Sequence, residues 1–441
     1  MRSKSSVISE PLDVPEDWNA TELGSICEQR REIVQPTQDG TTRYVGLEHI
    51  DPGSALLKRY GSDADVRSSK SRFYAGDVLY GKLRPYLDKV VLAEWDGICS
   101  TDILVFRVIE QCSTPEFLAH RLHSTDFLAH AINTTSGVNH PRTSWGDIKS
   151  FKLALPPLPE QRAIAHVLSK IQAAAETQAK IAERARELKR ALMAKLFTEG
   201  LRGESLRETE IGTMPEGWEI VKLGVIATIG NGSTPKRTEE KYWTGGNTPW
   251  LTSGKVHDGT IFHADEFVTE AARRECHLPI IPKGSIVVAI TGQGKTLGNS
   301  AMLAIDACIN QHLAYLTISN KGVHAEFVLT FLRSRYDYFQ SIGHAGGSTK
   351  GALTCGFLKN FEIPLPPLEE QREIAHILQT VDAKIEAAER KRAGLDELFH
   401  AMLGQLMTGR VRTTALIESL FNKAVPKITL DTEVGTLLGL A

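Results

Sequence analysis

The chain is written twice. Pro15-Glu16-Asp17-Trp18 returns as Pro215-Glu216-Gly217-Trp218, and Leu23-Gly24 as Leu223-Gly224, both 200 residues later. His49–Gly53 answers to Lys255–Gly259 at an offset of 206, and Gly76–Leu79 to Gly284–Val287 at 208. From Phe117 and Phe327 to Thr198 and Thr408 the offset holds at 210 without a gap. An offset that only grows marks one ancestral unit, duplicated, whose second copy gained loops. Whatever one half folds into, the other must fold into as well.

Similarity along the repeat is uneven. Between Leu155–Leu168 and Leu365–Leu378 eleven of fourteen positions are identical (LPPLPEQRAIAHVL against LPPLEEQREIAHIL), whereas residues 25–115 and 225–325 share only scattered anchors. Identical joints with unlike interiors suit two copies that dock the same partner and read different targets.

Each half opens with short β-branched runs bounded by Gly and Asp, such as Asp77–Tyr80, Lys89–Ala93, Ile103–Val108 and Ser285–Ile290, which predict strands. Helical stretches follow at Pro115–Ile132 and Ala325–Ile342, then a polar Gly-containing loop and one more strand ending at a proline pair. Each half therefore reads as a compact α+β domain.

After Pro156-Pro157 and Pro366-Pro367 the period changes. Proline ends the strand and pre-sets a first helical turn, where its missing N–H costs nothing. Glu160 and Glu369-Glu370 fall where a helix N-terminus favours negative charge. Positions 374, 378, 381, 385, 388, 392, 395, 399, 402 and 406 then keep a 4-3 apolar spacing broken only by Arg392. The first copy keeps it from Ile164 to Leu196 with Gln178 and Lys189 as polar exceptions. Such spacing predicts a coiled-coil seam. Two helices of about 40 residues would each run roughly 60 Å and, paired antiparallel, would hold two domains at the ends of a stiff rod. The polar exceptions are either register-setting or simply exposed.

The charge balance alone does not point to nucleic acid. The formal net charge is −2; residues 15–157 carry sixteen Lys/Arg against nineteen Asp/Glu, and residues 215–367 fourteen against thirteen. Affinity for a polyanion must come from local clusters or basic partners. No apolar run approaches a membrane span, and MRSKSSVISEPLDV has no hydrophobic region of the kind a secretion signal needs. Cys27, Cys99, Cys112, Cys276, Cys308 and Cys355 lie far apart without a CxxC pair, which argues for a reducing cytoplasm and against zinc or a disulfide frame.

Motifs for chemistry are missing. Thr291–Thr296 (TGQGKT) resembles a phosphate loop, but Ala289 stands where the nucleotide-binding form needs glycine. His120, His123 and His130 fall on one helical stretch without a carboxylate or cysteine to complete a ligand set. No methyltransferase tetrad, nuclease motif or helicase motif is visible. The chain reads as a non-enzyme.

At the twice-occurring LPPL-x-EQR junction, Leu155–Arg162 and Leu365–Arg372, the chain resembles the specificity (S) subunits of type I restriction–modification systems, and the resemblance runs over residues 15–408. It implies two pseudo-repeated α+β target-recognition domains separated by an antiparallel two-helix coiled-coil spacer. The expected layout is a first domain (1–157), a first spacer helix (158–200), a second domain (201–367), a second spacer helix (368–408) and a C-terminal tail (409–441). Each domain would read one half of a split, asymmetric site in double-stranded DNA. The helices would set the gap and dock two methyltransferase (M) subunits, with restriction (R) motor-nuclease subunits joining the complex. S-adenosylmethionine, ATP and Mg would be held only by those partners. In this family the tail is expected to pack near the first domain.

Reading needs side chains that reach base edges while others grip phosphates. The candidates lie in polar, cationic loops. In the first domain they are Lys70, Arg72, Lys82, Arg84, Asn139, Arg142 and Thr143; in the second, Lys236, Arg237, Gln293, Lys295, Ser348, Thr349 and Lys350. Glu160, Gln161, Arg162, Glu370, Gln371 and Arg372 are the candidates for partner docking. The competing reading is a two-headed scaffold whose loops bind protein, and salt-dependent DNA affinity separates the two.

Overall fold

The computed structural model describes residues 14–292, 294–344 and 351–413. The described residues divide into two compact units, one formed by those through Ala179 together with those from Arg390 onward, the other by those between Lys180 and Glu389. Each holds one copy of the repeat and half of each long helix.

In the first unit the strands Cys27–Arg30, Ile103–Val108, Val78–Gly81 and Val90–Leu92 form an antiparallel sheet in that spatial order. Ile103–Val108 is central because five of its six residues are buried; a β-branched run without polar alternation tolerates neighbours on both edges and cover on both faces. A second sheet has the order Ile33–Val34, Lys70–Phe73, Gly97–Cys99, Arg43–Val45, Gly61–Ser62. Its one parallel pairing sets Tyr44 against Ile98.

The second unit repeats this plan. Ala227–Asn231, Leu313–Ile318, Ile286–Ala289 and Ser300–Leu303 take the places of the first sheet, with Thr260–Ile261 added at the edge. Trp250 faces Cys308 in the equivalent parallel pairing. The duplication seen in sequence is therefore a duplication of topology.

Each single helical stretch expected after the sheets is a pair of shorter helices: Pro115–Arg121 with Thr125–Asn133, and Ala325–Ser334 with Tyr336–His344. The first break falls at Ser124-Thr125-Asp126, residues that favour helix starts. Arg121 crosses it to bond Asp126 through Nη1 at 2.7 Å and Nη2 at 2.6 Å. The last strand of each domain, Lys152–Leu155 or Glu362–Leu365, pairs with an early one, Asn19–Glu22 or Glu219–Lys222, the latter preceded by the hairpin Leu206–Thr209 and Gly212–Pro215.

The long helices are Leu158–Glu199 and Leu368–Met407. In the first unit Ile164 and Leu168 share a core with Phe399, Leu403 and Leu406. In the second, Leu196 and Phe197 share one with Ile374, Ala375 and Leu378. Rising numbers on one helix meet falling numbers on the other, so the pairing is antiparallel. The expected seam holds at Ile164, Leu168, Ala175, Ala182, Ala185, Ile374, Leu378, Ala388 and Phe399, all buried. It shifts near the end, where Leu403 is buried and Met402 only half-buried; a helix of 3.6 residues per turn drifts off a seven-residue repeat. Of the polar exceptions, Lys189 reaches across to Asp382 at 2.6 Å. Arg392 is exposed beside Asp396 on its own helix, and Gln178 is half-buried. Each helix is followed by a left-handed glycine, Gly200 (φ +64°) and Gly409 (φ +70°), a usual helix stop. A Cβ there would lie 3.0 Å from Trp218 or run into the Pro15 ring.

Candidate nucleic-acid interface

The repeated EQR motif is largely an internal brace. Gln161 Oε1 accepts from Ser113 Oγ at 2.9 Å and the Thr114 amide at 3.2 Å, while its Nε2 donates to the carbonyls of Cys112 and Pro156 at 2.9 and 2.8 Å. Gln371 does the same with the His324 amide and the carbonyls of Gly322 and Pro366. Glu160 accepts the Trp18 indole N–H at 2.9 Å, and Glu370 that of Trp218 at 3.2 Å. Glu160 is gripped further by Arg412, whose guanidinium also bonds Asp17. Four of the six residues expected to dock partners, Glu160, Gln161, Glu370 and Gln371, thus have their polar atoms committed within the chain. Arg162 and Arg372 are the exposed members. The identity of the joints reflects a shared internal construction.

In the first domain two of the separately noted loops come together. The Lys82 amide donates to the Asp102 carbonyl at 2.9 Å, the Thr143 amide to the Lys82 carbonyl at 3.1 Å, and the Arg84 amide to the Pro141 carbonyl at 2.8 Å. Arg142 forks onto Asp102, Nε to Oδ1 at 2.9 Å and Nη2 to Oδ2 at 3.2 Å. That guanidinium holds the Asp102 carboxyl below its usual pKa, and the carboxylate in turn raises Arg142. Arg84, Asn139 and Arg142 are exposed and Lys82 half-buried. Thr143 is a correction: it is buried and packs its hydroxyl against Thr134 at 3.2 Å. So is Lys70, buried on the strand Lys70–Phe73, where its ammonium bonds the carbonyl and hydroxyl of Ser68 at 2.7 Å. Arg72 lies on the same strand of the other sheet, 3.2 Å from Glu32.

The second domain gathers its loops at the equivalent point. Ile103 pairs with Gly81 as Leu313 pairs with Ala289, so His312 occupies the place of Asp102. The imidazole of His312 contacts the Thr291 hydroxyl on one side and lies 3.1 Å from Gln311 Nε2 on the other. Gln311 in turn accepts from Thr234 of the Gly232–Arg237 loop. Thr291–Gly292 pairs with Gly351–Ala352. The Thr291–Gly292 strand thus joins Gly351–Ala352 on one side and His312 on the other, and Gln311 beside His312 holds the Gly232–Arg237 loop. Lys295 is exposed, and Lys236 is 3.4 Å from Glu239. Gln293, Ser348, Thr349 and Lys350 lie outside the described residues.

Both domains also hold an arginine against paired aromatic rings. Arg237 lies over Trp243 at 4.1 Å and Trp250 at 4.9 Å and pairs with Glu266. Arg43 lies 4.9 Å from both Tyr60 and Trp95. Stacking fixes the plane of a guanidinium, and Arg237 spends one nitrogen of its fork on Glu266. Asp102, Gln311, His312 and Arg43 escaped the sequence reading. The pairing 102/312 could have been found by applying the 210 offset to the residue before the central strand; Arg43 gives no local signal. Among the described residues no group of three or more His, Cys, Asp and Glu could hold a metal ion.

A duplicated domain that presents loop-borne donors and cations on a braced sheet defines a recognition protein. The family description "Type I restriction modification DNA specificity domain" matches residues 15–185 and 215–397, and the chain belongs to that family, as a non-catalytic specificity subunit of a type I restriction–modification system. It is 25% identical over 423 residues to the MjaVIII specificity subunit of Methanocaldococcus jannaschii, spanning 92% of this chain and 95% of that one. It is 27% identical over 193 residues to the EcoDI specificity subunit of Escherichia coli, 43% of each chain. The fold is shared with the S subunit from M. genitalium (TM-score 0.60, 17% identity, 90% of this chain and 96% of that one). A chain from a type I R-M complex-assembly structure is also similar (TM-score 0.57, 23% identity, 91% and 100%).

Proposed function

We propose that each repeat reads one half of a split, asymmetric site in double-stranded DNA, and that the paired helices set the unread gap and dock two M subunits. The observation that carries this reading is the gathering of independently noted loops at the start of the central strand of each domain, at Asp102 in the first and Gln311-His312 in the second. The two surfaces differ in chemistry, as two different half-sites require. Lys82, Arg84, Asn139 and Arg142 would contact the first half-site, with Arg72 and Arg43 as further contacts from the second sheet. Lys236, Arg237, Gln293, Lys295, Ser348, Thr349 and Lys350 would contact the second. Arg162 and Arg372 are the residues of the EQR motifs left to face a partner. S-adenosylmethionine, ATP and Mg would act on the M and R subunits in the cytoplasm. Among the described residues no helix is long and apolar enough to cross a membrane.

The test is a domain exchange in the complex with its M subunits. Replacing residues 15–157 by another reader should change one half of the methylated sequence and leave the other, as read by base-resolution mapping of methylated adenine. Unchanged methylation would overturn the assignment, and DNA affinity insensitive to salt would favour the protein-binding scaffold.

A further inference from the structure

The second unit contains a cleft of about 760 Å³ where the end of the first long helix meets the helix pair Ala325–Ser334 and Tyr336–His344. Arg186, Lys189, Arg190, Arg333 and Arg335 line it, against the carboxylates Asp337 and Asp382. Asp382 is taken by Lys189 at 2.6 Å, and Arg186 is taken by Glu183 and Glu389. Arg190 lies 4.0 Å from Glu183, at the edge of ion-pair range. Arg333 spends its guanidinium on the backbone carbonyls of Ser300 and Gly259, at 3.3 and 2.9 Å. Arg335 is different. It lies half-buried over the Phe331 ring at 4.9 Å, and among the described residues its guanidinium has neither an acidic partner nor a hydrogen bond.

We infer that this cleft is a phosphate-binding site, with the Arg335 guanidinium as its central ligand and Arg190 at its lip. A desolvated guanidinium without a counter-ion carries a cost that an oxyanion removes, and burial does push the Arg335 pKa down. A planar fork held on an aromatic ring matches two phosphate oxygens.

Two observations favour the duplex backbone as the source. Tyr336, which lines the cleft, donates its hydroxyl proton to the Lys295 carbonyl at 3.1 Å, so the cleft is continuous with the TGQGKT loop assigned above to DNA. The five cations are also not repeated in the other copy. At the 210 offset the five cations correspond to Asp396, Phe399, His400, His123 and Thr125. A first-unit cleft that includes Asp396, Phe399 and His400 is closed by residues 51–58 instead of the helix pair, and is lined by Asp51, Glu176 and Asp396 as well as Lys58 and Arg392. A surface for docking two identical M subunits would be kept alike in both copies; a grip on one side of an asymmetric DNA site need not be. This inference rests on the function proposed above, since it uses DNA as the partner.

The complex with M subunits is titrated with cognate and unrelated duplexes over a range of salt concentrations. Arg335→Gln should lower the slope of log affinity against log salt by about 0.9, the value for one lost phosphate contact. It should weaken both duplexes alike, with the methylated sequence unaltered. Arg335→Lys should keep most of the slope. Arg190→Gln, at an exposed position, gives a second reading should Arg335→Gln fold poorly, and should lower the slope in the same direction. Calorimetric titration with inorganic phosphate distinguishes the other source: binding by the parent and not by Arg335→Gln, with an unchanged slope, assigns the site to free phosphate. Unchanged slopes in both Gln variants together with no phosphate binding would overturn the site. A domain exchange that failed to move a half-site would instead overturn the reader assignment, so the two failures are distinct.

Discussion

Arg142 and Asp102 stand forty residues apart in sequence and face each other through two parallel N–H···O bonds, at 2.9 and 3.2 Å. The pair ties the 135–145 loop to the start of the central strand and sets the plane of the one guanidinium in that loop. Both side chains are partly exposed, so the pair adds little to stability. Its role is orientation. Arg142→Ala should leave folding almost unchanged and cost about 1–3 kcal/mol of affinity for the cognate duplex. Titrations against duplexes substituted one base pair at a time check this. Discrimination should vanish at one position of the first half-site if Arg142 reads a base, whereas a uniform loss would make it a phosphate ligand. Asp102→Asn should weaken the same discrimination by less.

The EQR brace gives a prediction about stability. Gln161 satisfies two buried donors and two buried carbonyls with one amide. Gln161→Ala strands several of them, and each unsatisfied buried group costs about 1–3 kcal/mol. We expect a loss of roughly 2–4 kcal/mol in the first unit, and a similar loss in the second from Gln371→Ala. Arg162→Ala and Arg372→Ala, at exposed positions, should change stability by less than about 0.5 kcal/mol and act instead on assembly with M subunits. Urea unfolding and analytical ultracentrifugation measure the two effects separately. A stable Gln161→Ala chain that failed to assemble would return the glutamine to the docking surface.

Lys189 and Asp382 test the seam of the second unit. The ion pair is partly buried, at 2.6 Å, and joins two helices distant in sequence. A double-mutant cycle with Lys189→Ala and Asp382→Ala should give a coupling of about 0.5–1 kcal/mol. Exchanging the two charges should recover most of what either single reversal loses. Zero coupling in thermal unfolding would reduce Lys189 to a solvated position.

Much of this was legible in the sequence because it rests on local periodicity. The proline-terminated strands, the 4-3 spacing from Ile374 and the duplicated joints are backbone and packing statements, and each has a short-range signature. The helix break before Thr125 was missed because the apolar spacing runs through it, although Ser124-Thr125-Asp126 is itself a start signal. The site was harder. Lys70 and Arg142 look alike as cationic loop residues, yet one is buried against Ser68 and the other is exposed; only tertiary packing decides that. Gln161 and Gln371 drew attention by their repetition, which tells that a position is constrained and not what constrains it. Asp102 and His312 carry no motif. They matter because the sheet places them where loops distant in sequence converge.

His120 supplies a pH test of the first unit. It is buried, with Nε2 3.0 Å from Ser169 Oγ and Nδ1 without a partner among the described residues. Burial, with His123 nearby, pushes its pKa down from 6.5 to about 3. The unfolded chain therefore binds a proton below pH 6.5 that the folded chain refuses until about pH 3. Stability is at its full value above pH 6.5 and falls as pH drops through the window between those values, since the unfolded state carries more protons there. Between pH 7 and pH 5 this group alone should cost about 2 kcal/mol. His120→Gln, which keeps a polar contact for Ser169 and cannot titrate, should be less stable at pH 7 and lose about 2 kcal/mol less than the parent over the same interval. Unfolding of the first unit, followed at both pH values for parent and variant, gives the difference directly. Parallel pH profiles would mean that His120 is solvated enough to charge in the folded chain, and that its burial does not control the acid sensitivity of the first unit.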